Sequence, residues 1–402
     1  MQRYLDEVAR RLIAFDTVSS KSDVAAIEYA AECFERSRFR VSIQRFDVDG
    51  VAQSNLVAWA GPPEPDGLII CGHIDTVPFE GQPGWERDPL RLEIGDKQVW
   101  GRGTSDMKVF IAHCLDVAAR LDLASLARPV VFILTGDEET GSAGAIKLAP
   151  ALTEILGEIP PPRLAWLGEP TSYEVFRAHK GVVRFSFKVR GIGGHSSIPD
   201  KGVNAIAVAA KAIAAIGQYQ QELRENPLRD FSEMFPESPY TTLNFGTISG
   251  GTASNVIAEQ CSVDISYRQL PDCEPLEVFR EIVKRIRDLN KHDYASSQRE
   301  ATIEFSEPQI VPALSSPANS PLERALMDVV HTGRARGALF ATDGPQFAAV
   351  GIDSLICGPG ELEQAHQPNE SIKRSSYESG TQIVLSVLHQ LCGAKTSAKS
   401  LD

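Results

Sequence analysis

Leu5, Val8 and Leu12 recur at helical spacing near the start of the chain, and this period predicts a helix over residues 2–15. A second helical pattern covers residues 24–37. The pattern then changes to short, uninterrupted apolar runs at Leu68–Cys71, Val130–Leu134 and Leu164–Leu167. Runs of that length suit strands buried on both faces, as in a parallel sheet. A helical stretch at about 107–121 separates the first two. Strands alternating with helices predict an α/β sheet covered on both sides.

Past about residue 180 the pattern changes again. Val182–Val189 alternates apolar with polar or charged side chains for most of its length, which predicts a strand with one wet face. An Ala-rich helix at 203–217, strands at 241–248 and 261–268, and a helix at 275–290 follow. This block reads as a small α+β domain inserted at 180–308. The α/β character returns with a helix near 321–331, the apolar run Ser354–Cys357 and a helix at 376–391. Residues 1–179 and 309–402 are therefore expected to form one discontinuous domain, with a frayed polar tail from 394.

A length of 402 residues fits two such domains. The formal charge of −13 argues against nonspecific binding to nucleic acid or anionic membranes. The seven cysteines are dispersed without a Cys-x-x-Cys pair, which suits reduced thiols and a cytoplasmic protein. The N-terminal residues are charged and lack the apolar core of a signal peptide. No segment approaches the run of about 18 apolar residues that a membrane span needs.

Polar residues of one chemical kind follow the apolar runs. His73 and Asp75 lie in Cys71-Gly-His-Ile-Asp-Thr-Val-Pro78. In a strand, positions two apart share a face, so Asp75 could reach one ring nitrogen of His73 while the other binds a metal. Asp106 lies in Gly101-Arg-Gly-Thr-Ser-Asp-Met-Lys108, where Ser105 or Asp106 could equally be a helix N-cap. Glu138 and Glu139 follow Thr135-Gly-Asp137 and could simply favour a helix dipole. Glu169 follows Leu164-Ala-Trp-Leu-Gly168, and His366 follows Ile356-Cys-Gly-Pro-Gly360; each alone is an ordinary loop residue. As a set, two histidines and several carboxylates at strand ends suit Zn²⁺, with Co²⁺ or Mn²⁺ as substitutes. Two neighbouring ions could hold a hydroxide and polarise a carbonyl, with a further carboxylate as base.

The order Gly72-His-Ile-Asp-Thr-Val-Pro78, Gly101–Lys108, Asp137-Glu-Glu-Thr-Gly141, Gly168-Glu-Pro-Thr171, Gly194-His-Ser-Ser197 and Gln364-Ala-His366 resembles the co-catalytic zinc amidohydrolases. That family includes acetylornithine deacetylase, succinyl-diaminopimelate desuccinylase, aminoacylase and glutamate carboxypeptidase. The resemblance implies a phosphorylase/hydrolase-like catalytic domain, with a mixed sheet flanked by helices, and an inserted α+β lid that forms a homodimer. It implies two zinc ions per subunit. His73 and Glu169 would bind one, Glu139 and His366 the other, and Asp106 would bridge both. Asp75 would orient His73, and Glu138 would be the general base beside a metal-bridged hydroxide. His195 of the lid would stabilise an oxyanion in the partner subunit's site. Asn255 and Arg268 would grip the substrate carboxylate, with backbone N–H groups from Gly358 and Gly360 at the same end.

The stretches Arg177-Ala-His-Lys-Gly181, Gly202-Val-Asn-Ala-Ile206 and Gly358–Pro368 look like the acetylornithine deacetylase branch. The implied reaction is hydrolysis of N²-acetyl-L-ornithine to acetate and L-ornithine, in arginine biosynthesis. Three positions depart from that pattern: Val109, Ser266-Tyr-Arg268 and Thr342-Asp-Gly344, the last leaning toward desuccinylases. Asp343 either pairs with an ornithine ammonium or caps a turn. The rival readings are a desuccinylase or another N-acyl-amino-acid hydrolase, and, from a different class, an inactive binding protein on the same scaffold.

Overall fold

The structure is a computed structural model that describes residues 2–228, 231–293 and 300–396. The chain divides into two units: residues 1–177 with 316–336 and 342–402, and residues 178–315 with 337–341. The polar tail lies outside the described residues beyond 396.

The first unit is built on a mixed sheet. Its strands run in the order Arg40–Val48, Val51–Ala60, Val130–Thr135, Leu68–His73, Leu164–Leu167, Asp353–Ile356 and Phe176–His179. The four from Val130–Thr135 to Asp353–Ile356 are parallel, and the pairs outside them are antiparallel. Every residue of Leu68–His73 and of Val130–Thr135 is buried, as their uninterrupted apolar character requires. Each strand runs a residue or two past its apolar stretch, and that extension carries the polar residue at its carboxyl end.

A hairpin in the first unit is absent from the sequence expectations. Arg40–Val48 and Val51–Ala60 form a hairpin whose two-residue turn is Asp49-Gly50, both at positive φ (51° and 85°). That turn matches the right-handed twist of its strands, and Asp-Gly tolerates it well. The dipeptide was a legible hairpin signal.

Helix Lys108–Arg120 is buried on all sides from Lys108 to Ala118. It packs against Gln2–Ala14, Val24–Arg36 and Arg374–Cys392, so its apolar character runs round the whole cylinder. Its position matters because its N-terminus follows the turn that holds Asp106. The first-turn N–H groups are not capped by Ser105 or Asp106: the cap position is Met107, with no side-chain bond.

The second unit holds an antiparallel sheet in the order Thr242–Gly250, Gln260–Arg268, Val182–Arg190 and Thr302–Phe305, with Gln309–Val311 also on Val182–Arg190. Helix Ala205–Glu225 packs on the sheet, and helix Glu277–Asp293 packs beside it. Val183, Phe185, Phe187 and Val189 alternate into that core. Asn204 begins the first helix by accepting the N–H groups of Ile206 and Ala207 (3.0 and 3.2 Å). The helix continues to Glu225, past the Ala-rich segment, because nothing in the polar stretch 218–225 breaks it.

Candidate metal centre

His73 ends its strand in register with Thr135, and its side chain is buried. The strand stops there, so Asp75 is not on a strand and the same-face argument does not apply. The nearest partner of His73 Nδ1 is the backbone carbonyl of Asp75 at 3.0 Å; the Asp75 carboxylate is 3.5 Å away. In the neutral ring, an Nδ1–H donated to that carbonyl leaves a lone pair on Nε2 for a cation that displaces the proton. Asp106 Oδ1 faces it at 2.9 Å and Glu169 Oε2 lies at 3.8 Å.

The Asp75 carboxylate is spent elsewhere. It accepts the N–H of Glu138 (3.0 Å), the N–H of Glu139 (3.2 Å) and the hydroxyl of Ser19 (2.8 Å). Asp137 precedes the short helical turn Glu138–Gly141 in a left-handed conformation and caps nothing. Asp75 therefore serves as that turn's remote cap, satisfying N–H groups with no intrahelical partner. Ser19 was missed in the sequence, because it lies 56 residues away from the group it bonds.

Asp106 presents its second oxygen to a second histidine. His366 Nε2 lies 3.2 Å from Asp106 Oδ2 and 3.1 Å from Glu139 Oε2. The structure thus brings His73, Asp106, Glu139, Glu169 and His366 together, with Glu138 beside them. His73, Asp106 and Glu139 offer ligand atoms all within 4.8 Å of one another. His73, Asp106 and Glu169 are buried, whereas the His366 side chain is half exposed.

The charges explain what such a cluster needs. Burial raises the Glu169 and Glu138 carboxyls well above the ordinary range, against the pull of His73, and neighbouring carboxylates raise them further. Burial and Asp106 raise Glu139. Burial also works against ionised Asp106, but the two histidines outweigh it and hold its carboxyl well below the usual range. Asp106 and Glu139 in turn raise His366 to about 10, against burial. Four carboxylates gathered in a partly dry site repel one another unless positive charge lies between them. Glu139 Oε1 is buried with no hydrogen-bond partner. An orphaned carboxylate oxygen, a lone pair on His73 Nε2 and a carboxylate facing two imidazoles fit a divalent cation of the zinc type.

Several other expectations change. Asp343 begins the short helix Gly344–Ala348 but makes no side-chain cap; Thr342 Oγ1 accepts the Gly344 N–H instead. The Asp343 carboxylate is buried, accepts the Thr135 hydroxyl at 2.7 Å and has an orphaned second oxygen. Burial raises it to about 6, despite the Thr135 and Ser142 hydroxyls. The Gly358 N–H is not open to a substrate, because Thr171 Oγ1 accepts it at 2.9 Å. Both glycines allow close backbone approach. A Cβ at Gly358 would fall 2.1 Å from the Gly168 carbonyl oxygen, and one at Gly360 would fall 2.2 Å from that of Ser105.

His195, Asn255 and Arg268 belong to the second unit. His195 pairs with Val256 in a two-stranded ladder and is exposed. Its Nδ1 accepts the Ser197 N–H at 3.2 Å and lies 2.7 Å from Ser197 Oγ, which directs the ring proton to Nε2. The Asn255 carbonyl accepts the Ser196 N–H at 3.1 Å. Arg268 is exposed at the end of its strand and donates to the Leu339 carbonyl at 3.2 Å.

Known proteins resemble the chain over nearly its whole length. The chain is 33% identical over 393 residues to an acetylornithine deacetylase of Shigella sonnei, covering 96% of this chain and 97% of that protein. Aminopeptidase PepT from Bacillus cereus superposes with a TM-score of 0.72 at 21% identity, covering 97% of this chain and 99% of that one. A Bacillus subtilis protein described as a dinuclear metal-binding peptidase of the M20 family superposes with a TM-score of 0.63 at 16% identity, covering 95% and 96%. Peptidase family M20/M25/M40 matches residues 69–390, the span that holds all five histidine and carboxylate groups of the centre, and the chain belongs to this hydrolase family.

Proposed function

We propose that this protein hydrolyses the N-acyl amide of an amino acid, with N²-acetyl-L-ornithine as substrate and acetate and L-ornithine as products. The observation that carries the reading is the Asp106 carboxylate, which turns one oxygen to His73 and the other to His366. Two divalent cations would be held by His73 with Glu169 on one side and His366 with Glu139 on the other, with Asp106 between them. A pair of zinc ions held there supplies Lewis acidity toward the amide carbonyl and acidifies water.

Glu138 is the remaining carboxylate and serves as general base. Burial, with Glu169, Asp343 and Glu139 nearby, raises its affinity for protons against the pull of His73, which suits a group that takes a proton and returns it. It accepts the proton of the attacking water and delivers it to the leaving amine. Asp75 holds the Glu138 backbone in place through the turn's N–H groups. His195, with its proton on Nε2, donates to the developing oxyanion from the lid of a partner subunit. Arg268 and Asn255 hold the substrate carboxylate; the planar guanidinium suits that group. The chain works as a cytoplasmic homodimer joined through the second unit, in arginine biosynthesis.

The substrate choice rests on the relative from Shigella sonnei. One observation favours a second reading, a desuccinylase or another N-acyl-amino-acid hydrolase. Asp343 is 2% exposed, with one oxygen engaged by Thr135 and the other buried, so it offers no surface carboxylate to an ornithine ammonium. The test compares kcat/KM of the zinc-loaded protein on N²-acetyl-L-ornithine, N-succinyl-L,L-diaminopimelate and a panel of N-acyl amino acids. A preference of about 100-fold for acetylornithine, about 2.7 kcal/mol in the transition state, supports the first reading. A preference for the succinyl substrate replaces it. No amide hydrolysis with both metals bound overturns both.

A further inference from the structure

The two loops that bear Asp106 and His366 share one buried brace. Glu370, four residues beyond His366, is fully buried. Its Oε1 accepts three backbone N–H groups of the Asp106 turn: Gly103 (3.1 Å), Ser105 (2.8 Å) and Asp106 itself (3.1 Å). Its Oε2 accepts Arg102 Nη1 at 2.7 Å, and Arg102 is only 1% exposed. From there the network turns back toward His366. Arg102 Nη2 donates to Gln82 Oε1 at 2.9 Å, and Trp85 Nε1 donates to the same oxygen at 2.9 Å. The Arg102 guanidinium lies over the Trp85 ring, 5.1 Å from its centroid. Gln82 Nε2 then donates to the His366 backbone carbonyl at 2.8 Å. His366 needs such support, since its backbone is left-handed (φ 64°), a conformation costly for a side chain of this size.

We infer that Glu370, Arg102 and Gln82 are positioning residues that set the reach of His366 to the Asp106–Glu139 side of the centre. None of them touches the reacting atoms. Their effect follows from reach: the His366 ring is half exposed, so the position of its backbone governs where Nε2 lies. The Gln82 bond fixes that backbone relative to the turn that holds Asp106. The His73 side of the centre is built differently, with a buried ring at a strand end, and needs no such tether. Loss of the tether should therefore weaken one metal site and spare the other.

The inference rests on the two-site reading above, and the test separates them. Zinc is titrated into metal-free wild type, His366→Ala, Gln82→Met and Glu370→Gln, with stoichiometry and both dissociation constants read by calorimetry and chelator competition. Wild type binding two ions and His366→Ala binding one support the two-site reading. Gln82→Met, a change at a partly exposed position, should then weaken one site by about 10- to 100-fold, a usual cost of disturbing groups that support ligands. The other site and the melting temperature of the metal-free protein should stay as in wild type. Glu370→Gln disturbs the turn of Asp106, which faces both histidines, and should weaken both sites; Gln82→Met alone tests selectivity. Wild-type affinities at both sites in Gln82→Met overturn the inference and leave the two-site reading standing. Equal weakening of both sites in Gln82→Met also overturns it, because the tether would then not be selective. A wild-type protein that binds fewer than two ions overturns the reading and the inference with it.

Discussion

The two sheets of this chain use their polar residues in opposite ways. In the first unit the central strands are buried throughout, and polar side chains appear where those strands end. In the second unit Val182–Arg190 alternates buried and open positions from Val183 onward. A histidine or carboxylate after a buried apolar run is therefore an exception that draws notice. His195 and Asn255 sit among many exposed neighbours, where chemistry and solubility look alike. The comparison teaches that a doubly covered parallel sheet concentrates reactive groups at one edge, while a sheet with a wet face disperses them.

The sharpest way to break this comparison is to remove the base from the first unit. Glu138→Ala should retain both metals and lose about 10²–10⁴-fold in kcat, the usual contribution of a positioned acid–base group. Steady-state kinetics with metal analysis checks it, and near-normal kcat would remove Glu138 from the mechanism. The second unit is tested by His195→Ala, which should lose about 10²–10³-fold in kcat with KM nearly unchanged. Mixing it with Glu138→Ala protomers should restore partial activity, since the mixed dimer contains one site with an intact Glu138 and a partner's intact His195. No recovery in verified mixed dimers would refute the exchange between subunits.

Metal removal should act on the first unit alone. Stripping the ions, or Asp106→Asn, should lower stability by about 2.7 kcal/mol for each site otherwise held at 100 times its Kd. Hydrogen exchange should localise the loss to the strands around His73 and Thr135, and uniform loss across both units would contradict the division. A further effect should come from pH. Burial lowers His113 to about 4 in the folded chain, against an ordinary value of 6.5, while its Nε2 bonds the Tyr377 carbonyl. Between those values the unfolded chain binds the extra proton, so this contribution is complete above pH 6.5 and lost as pH falls toward 4. The gap corresponds to about 3 kcal/mol. Denaturant midpoints measured from pH 7 to pH 4 should fall less steeply in His113→Gln; an unchanged slope would show that His113 does not set it.

Some of this was legible in residue order and some was not. The buried parallel strands, the helix at Lys108 and the α/β character of the fold followed from apolar runs and their spacing. The Asp49-Gly50 hairpin was legible too, but its strands are only partly apolar and were passed over. The roles of Asp75 and Asp343 were not legible. Asp75 bonds backbone groups 63 and 64 residues away, and Asp343 bonds a hydroxyl 208 residues away. Gly358 was expected to present its N–H to a substrate, yet Thr171 takes it, a pairing 187 residues apart.

The sequence by itself determined which residues could do chemistry, because only imidazoles and carboxylates in that order suit a hard-to-borderline cation. The tertiary structure alone decided which oxygen faces which ring. A carboxylate has no preferred partner along the chain, and its direction is set by whatever N–H and hydroxyl groups the fold delivers to it. Asp106 therefore bridges two histidines while Asp75, two residues from one of them, caps a remote turn, and Glu370 binds the loops that make the difference.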